Sequence, residues 1–180
     1  MSKNIIITMF LYVLYTATAY AATPSQVYKA IGSLVGEWQL SATMPQQGSC
    51  HFQEGTEPLG SGIVFKYIGK NTTIEEDLLP DTERQMVTMY HCKDIACTNI
   101  KATHYCVKMN QPQYIANLKE STPNKIVMEC DMSTQLCNSK ENYVYKIIHE
   151  ISEDGKHLKS SYLSKKENKP IPSTVCNFEK

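Results

Sequence analysis

The sequence has no dense block of lysine and arginine: 18 basic side chains balance 18 acidic ones over 180 residues. A near-neutral chain of this kind gives nucleic acid or an anionic membrane little to hold electrostatically. The pair Lys165-Lys166, with Lys169 nearby, is too short a run to change that. Beyond the N-terminus, no apolar run approaches the roughly 20 residues that a membrane-crossing helix needs, so no span is expected after the first residues are removed. There is no internal repeat, no low-complexity tract and no alternation of strand-like with helix-like segments. The last absence argues against a parallel α/β sheet.

What is present begins with an export pattern. Lys3 supplies a positive start, Ile5 to Tyr15 is apolar apart from Thr8, and Ala19-Tyr20-Ala21 has the A-x-A form read by signal peptidase. Residues 1–21 are therefore expected to be a secretory signal peptide, and residues 22–180 one domain with a net charge of −1, secreted or periplasmic. No cysteine follows the apolar run, which argues against lipid attachment there.

Seven cysteines lie at positions 50, 92, 97, 106, 130, 137 and 176, and an oxidising compartment favours pairing them. Spacing does not prove connectivity, but Cys92–Cys97 and Cys130–Cys137 each enclose a short polar loop between strand-like runs. Joining Cys50 to Cys176 would tie the N-terminal loop to the C-terminal tail and leave Cys106 as the odd thiol. A zinc cluster of His91, Cys92, Cys97, His104 and Cys106 is the rival. Its spacing is irregular where structural zinc prefers two tight pairs, so no metal is expected.

Pro24 to Val35 carries the one convincing helix pattern, with Val27, Ile31, Leu34 and Val35 at helical spacing. From Trp38 onward the period becomes two. Strand-like runs follow at 63–67, 72–78, 85–92, 99–108, 113–118, 125–130, 143–151 and 157–164, with a weak one at 174–178. Turn chemistry separates them, as in Pro80-Asp81, Thr122-Pro123-Asn124 and Glu153-Asp154-Gly155. Residues 44–60 read as a long loop. The expected fold is mainly β: a single antiparallel up-and-down barrel of about ten strands with a short N-terminal helix.

Several words of the sequence strengthen that reading. Leu34-Val35-Gly36-Glu37-Trp38 places a G-x-W at the entry to the first strand, as lipocalin-like (calycin) barrels do. Met86-Val87-Thr88-Met89-Tyr90-His91, Thr103-His104-Tyr105-Cys106 and Asn110-Gln111-Pro112 together resemble the "MVTxYH…THYC…NQP" signature of uncharacterised bacterial lipocalin-like proteins. The chain departs from that pattern where a tight Asp-Gly turn would follow Tyr-His; Cys92 to Cys97 stands there instead. The resemblance implies a barrel of roughly ten strands and brings no assigned activity. In the nitrobindins, haem-binding barrels of the same wider class, a lone histidine near the C-terminal strands ligates iron, which would make His149 the haem ligand here. Otherwise no cofactor is expected.

The candidate ligand-binding residues are His104, Cys106, Asn110, Gln111, Tyr90, His91 and His149. All but His149 lie between residues 90 and 111, where histidine, tyrosine, a thiol and an amide pair fall on adjacent elements, and His149 is a separate candidate on the more apolar side of its strand. Catalysis with Cys106 as nucleophile and His104 as base is the least favoured option, because two residues apart on one strand leaves the side chains ~6.6–7 Å apart. Tyr143, Tyr145, Ile147, His149 and Ile151 read as one strand face. Glu75, Glu76 and Asp77 read as a solvated strand end. The expected partner is a small apolar or amphipathic molecule held by the barrel. The alternative is a secreted effector or inhibitor acting through loops 44–60, 92–97 and 130–137.

Overall fold

A computed structural model describes residues 21–53, 55–56 and 60–180. The expected signal peptide falls, but for Ala21, outside the described residues. The chain forms one helix, α1 (Pro24–Ser33), and ten strands: β1 (Gly36–Leu40), β2 (Ile63–Ile68), β3 (Thr73–Leu78), β4 (Met86–Cys92), β5 (Ile100–Tyr105), β6 (Gln113–Ala116), β7 (Lys125–Cys130), β8 (Tyr143–Ile151), β9 (His157–Lys166) and β10 (Lys169–Glu179). Every strand pairs antiparallel with its sequence neighbour, and β1 pairs with β10 to close the barrel. The up-and-down architecture read from the sequence is the one observed, and closure leaves no free sheet edge.

Period-two alternation decides what faces inward. Trp38, Phe65, Ile74, Leu78, Tyr90, Tyr114, Ile147, Tyr162 and Phe178 are all buried and belong to one continuous core. The helix closes one end. Thr23 caps it reciprocally with Gln26, Pro24 begins it, and its face of Val27, Ala30 and Ile31 joins the core. Trp38 Nε1 donates to Leu34 O at 2.8 Å and Tyr28 Oη donates to Asn71 O at 3.0 Å, so the helix is tied to the strands it covers.

The opposite end is covered by the segment after β1. This segment runs beside β10, where Gln47 bridges Val175, and Cys50 is bonded to Cys176. Gly48 has φ +65°, and a Cβ there would sit within about 3 Å of Ser173 O and Thr174, so the close approach requires glycine. The other two bridges are Cys92–Cys97 and Cys130–Cys137, and Cys106 is free.

Two strands differ from the pattern expected. The weak final segment is the longest strand, β10. Pro170 and Pro172 obscured it, but both lie where β10 is laddered to β9 alone, and the register shifts between Ile171 and Thr174. In β8 a bulge at Tyr145 splits the expected single face: Val144 opposes Ser164, and Lys146 opposes Leu163. Ile147 and His149 face the core, whereas Tyr143 turns the other way and donates its hydroxyl to Cys137 O.

Candidate functional site

Register brings a set of polar side chains into the lumen. On one wall Phe65, Glu76, Thr88 and His104 stand directly opposite one another across β2, β3, β4 and β5. On the facing wall Ile126, His149, Ser160 and Cys176 form the equivalent row. Tyr90 of β4 and Tyr162 of β9 fill the space between. The Glu76 carboxylate accepts from the hydroxyls of Tyr90 and Tyr162, one on each oxygen. His149 Nε2 lies 3.0 Å from Tyr90 Oη and 3.3 Å from Glu76 Oε2, and His149 Nδ1 lies 2.8 Å from Ser160 Oγ.

The proton positions follow from these contacts. Tyr90 spends its hydrogen on Glu76, so its oxygen accepts from His149, and Nε2 carries the proton. Burial pushes Glu76 upward, but the His149 ring and the three side-chain hydrogen bonds outweigh it, and the carboxyl sits below its ordinary range. Burial first, and then the Glu76 charge, raise Tyr90 and Tyr162 well above the usual phenol value, so both remain donors. The cluster is an ionised carboxylate satisfied from all sides and fully withdrawn from solvent.

His104 is handled differently in the same lumen. Its Nδ1 meets Thr88 Oγ1 at 2.9 Å, and its ring stacks on Tyr162 at 6.1 Å between centroids. Its Nε2 is buried and has no hydrogen-bond partner among the described residues. Burial brings this ring down to about 4, so it is neutral near pH 7.

The seven expected binding residues do not converge. Tyr90, His104 and His149 enter the lumen. His91 stays on the outer side, with Nδ1 against Cys92 O. β5 ends at Tyr105, so Cys106 lies in the following turn and not on a strand face with His104; its thiol points to Met86 Sδ at 3.8 Å. No hydrogen bond joins Cys106 to His104 among the described residues. Asn110 donates to Asn142 O and leaves its own Oδ1 buried without a partner, while Gln111 is exposed. Both ring nitrogens of His149 are engaged, so this arrangement offers neither to a haem iron.

Glu76, read from the sequence as part of a solvated strand end, is instead the centre of the lumen. The signal was there: Ile74, Glu76 and Leu78 alternate with Glu75 and Asp77, which places Glu76 on the apolar face. Tyr162, Ser160, Thr88 and Tyr114 could be located only once strand register was known.

Space for a ligand lies at the end opposite the helix. A cavity of about 490 Å³ opens between the end of β1 and the bridged segment that follows it. Its lining mixes apolar side chains (Leu40, Met44, Phe52) with polar ones (Gln39, Ser41, His51). Arg84 pins the covering segment by donating from Nη1 to Ser49 O at 3.2 Å and to His51 O at 3.0 Å, with its guanidinium 4.6 Å over the Phe52 ring. No family model matches the chain, and no curated protein matches it.

Proposed function

We propose that the protein is an exported, disulfide-bonded barrel that binds a small amphipathic ligand at its loop-covered end rather than in its lumen. The observation that carries this reading is the cavity of about 490 Å³ whose lining combines apolar and polar side chains. Its size falls within the range usual for small-molecule sites. The lumen, by contrast, is occupied by its own aromatic and polar side chains. Export rests on the N-terminal pattern of residues 1–21 and on three disulfides, which persist mainly outside the cytoplasm. The lipocalin-like words of the sequence fit a carrier or sensor of this kind.

Native mass spectrometry of the protein purified from its own host tests the reading. A small-molecule adduct that is lost in Phe52→Asp supports it. Protein without any adduct, together with no change in Phe52 or Met44 resonances when host small-molecule extract is added, overturns it.

A second reading as an effector or inhibitor has its own observation. Ile95 is fully exposed at the tip of the Cys92–Cys97 loop, and Met132 is exposed in the Cys130–Cys137 loop. Stapled tips that present apolar side chains suit protein contact. A pull-down from host or target-cell extract with Ile95→Asp and Met132→Asp as the control separates the two readings.

A further inference from the structure

A second depression at the same end, of about 530 Å³, is bounded by the start of β10, the segment 47–51, and the loops that carry Arg84 and Lys108. Its lining contains Arg84, Lys108 and His51 and no carboxylate; Ser164, Ser173 and Asn142 supply neutral polar groups. Arg84 is the chain's one arginine. Neither Arg84 nor Lys108 enters an ion pair among the described residues. Overall the chain balances its charges, yet here two cations share a concave surface without a counter-ion among the described residues.

Both cations are held in place by neutral groups. Arg84 spends Nη1 on two backbone carbonyls and rests over Phe52, which fixes the guanidinium plane and leaves Nε and Nη2 without a partner among the described residues. A fixed guanidinium edge is suited to two parallel hydrogen bonds with a carboxylate or phosphate. The Lys108 ammonium donates to Asn142 Oδ1 at 2.8 Å and to Ser164 Oγ at 3.2 Å, which leaves its third hydrogen free. Burial pushes this ammonium downward against an opposing contribution from Cys106, although the residue as a whole is exposed. An anion would supply the compensation that the chain does not.

We propose that this depression, with Arg84 and Lys108 as its two cationic contacts, is a binding site for a small oxyanion bearing a phosphate or carboxylate group. The depression shares His51 with the amphipathic cavity, and Arg84 packs on Phe52 of that cavity, so the test follows Lys108 and Ser173, which line the depression and not the cavity.

The test is a titration of the full disulfide-bonded chain with inorganic phosphate and, separately, with acetate, in a buffer containing neither. The signals followed are the NMR resonances of Arg84 Nε–H and the backbone amides of Ser173 and Thr174. At least one oxyanion should shift them saturably. Saturation by phosphate alone, by acetate alone or by both identifies which source the site accepts. Lys108→Met should weaken binding about tenfold, the loss of one charge-assisted hydrogen bond, and Lys108→Glu should abolish it, with the dispersed Tyr90 and Tyr114 signals unchanged. Should either Lys108 variant fail to fold, Ser173→Asp places an opposing charge in the same depression and is expected to abolish the shifts. Linear shifts without saturation, equal shifts from chloride at matched ionic strength, or affinity unaffected by these substitutions would overturn the proposal.

Discussion

The lumen and the loop-covered end hold comparable amounts of polar chemistry and use it in opposite ways. In the lumen, Glu76, Tyr90, Tyr162, His149 and Ser160 satisfy one another and, among the described residues, leave only His104 Nε2 there without a partner. At the covered end, Arg84 and Lys108 are anchored through neutral atoms and their charges face open space. A group of titratable residues thus points to a ligand only when its hydrogen-bonding capacity is left over. By that measure the lumen, His104 Nε2 apart, is a structural device, and the rim is where the proposed recognition lies.

The largest effect is expected from cutting the tie between the two regions. The Cys50–Cys176 bridge closes a loop of 126 residues. The chain-entropy relation gives about 5 kcal/mol for its loss. The double variant Cys50→Ser/Cys176→Ser should lower the urea midpoint accordingly and release the covering segment. Under native conditions the near-UV signal of the lumen tyrosines should survive while any ligand adduct is lost. If the tyrosine signal disappears along with the adduct, the two regions form one cooperative unit and the contrast between them fails.

Next comes the carboxylate at the centre of the lumen. Removing one partner of a buried, hydrogen-bonded pair leaves the others uncompensated, at a cost of about 3–5 kcal/mol. Glu76→Ala should therefore destabilise strongly, and His149→Ala comparably, since they belong to one network. The double variant should cost less than the sum of the two single ones. Additive losses in denaturation would show that the pair is not coupled.

Acid should act through His104. The folded ring is held near 4 against an ordinary 6.5, so between these values the unfolded chain binds more protons than the folded one. Stability is therefore full above about pH 6.5 and falls by about 3 kcal/mol as pH drops to about 4. Glu76, also held below its ordinary value, adds loss in the same direction at lower pH. His104→Gln should flatten the pH 6.5–4 segment of the midpoint-versus-pH curve. An unchanged slope would assign the acid sensitivity to another group.

The barrel was legible from the sequence because its information is local. Period-two runs, turn residues and hairpin-spanning cysteine pairs each act over a few residues. The two short bridges, Cys92–Cys97 and Cys130–Cys137, follow the pairing expected from them, while the long Cys50–Cys176 bridge joins the two ends as expected from the remaining cysteines. The interior was less legible because it depends on register between distant strands. Nothing near His149 indicates that Glu76, 73 positions earlier, lies 3.3 Å away across the lumen. The bulge at Tyr145 also reverses the expected face for Tyr143 and Tyr145, and a bulge leaves no mark in an alternating pattern. Cys106 was expected beside His104 because the strand was drawn three residues too long; Met109, with φ +60°, belongs to a turn that closes back on Cys106 O.

The smallest effect gives the sharpest control, because it concerns the neighbouring residue. Glu75 precedes Glu76 on β3, so its side chain leaves the opposite face, where it pairs with Lys66 at 2.8 Å. That contact is shorter than the 3.3 Å between Glu76 and His149 and looks the stronger of the two by distance alone. Lys66 is more than half exposed, however, and water and salt screen such a pair to about 0–1 kcal/mol. Glu75→Gln should accordingly shift the denaturation midpoint slightly, and the shift should vanish in high salt. Glu76→Gln should shift it by several times as much at any salt concentration. Equal effects from the two substitutions would mean that the lumen is wetter than its packing implies, and would return it to consideration as a binding site.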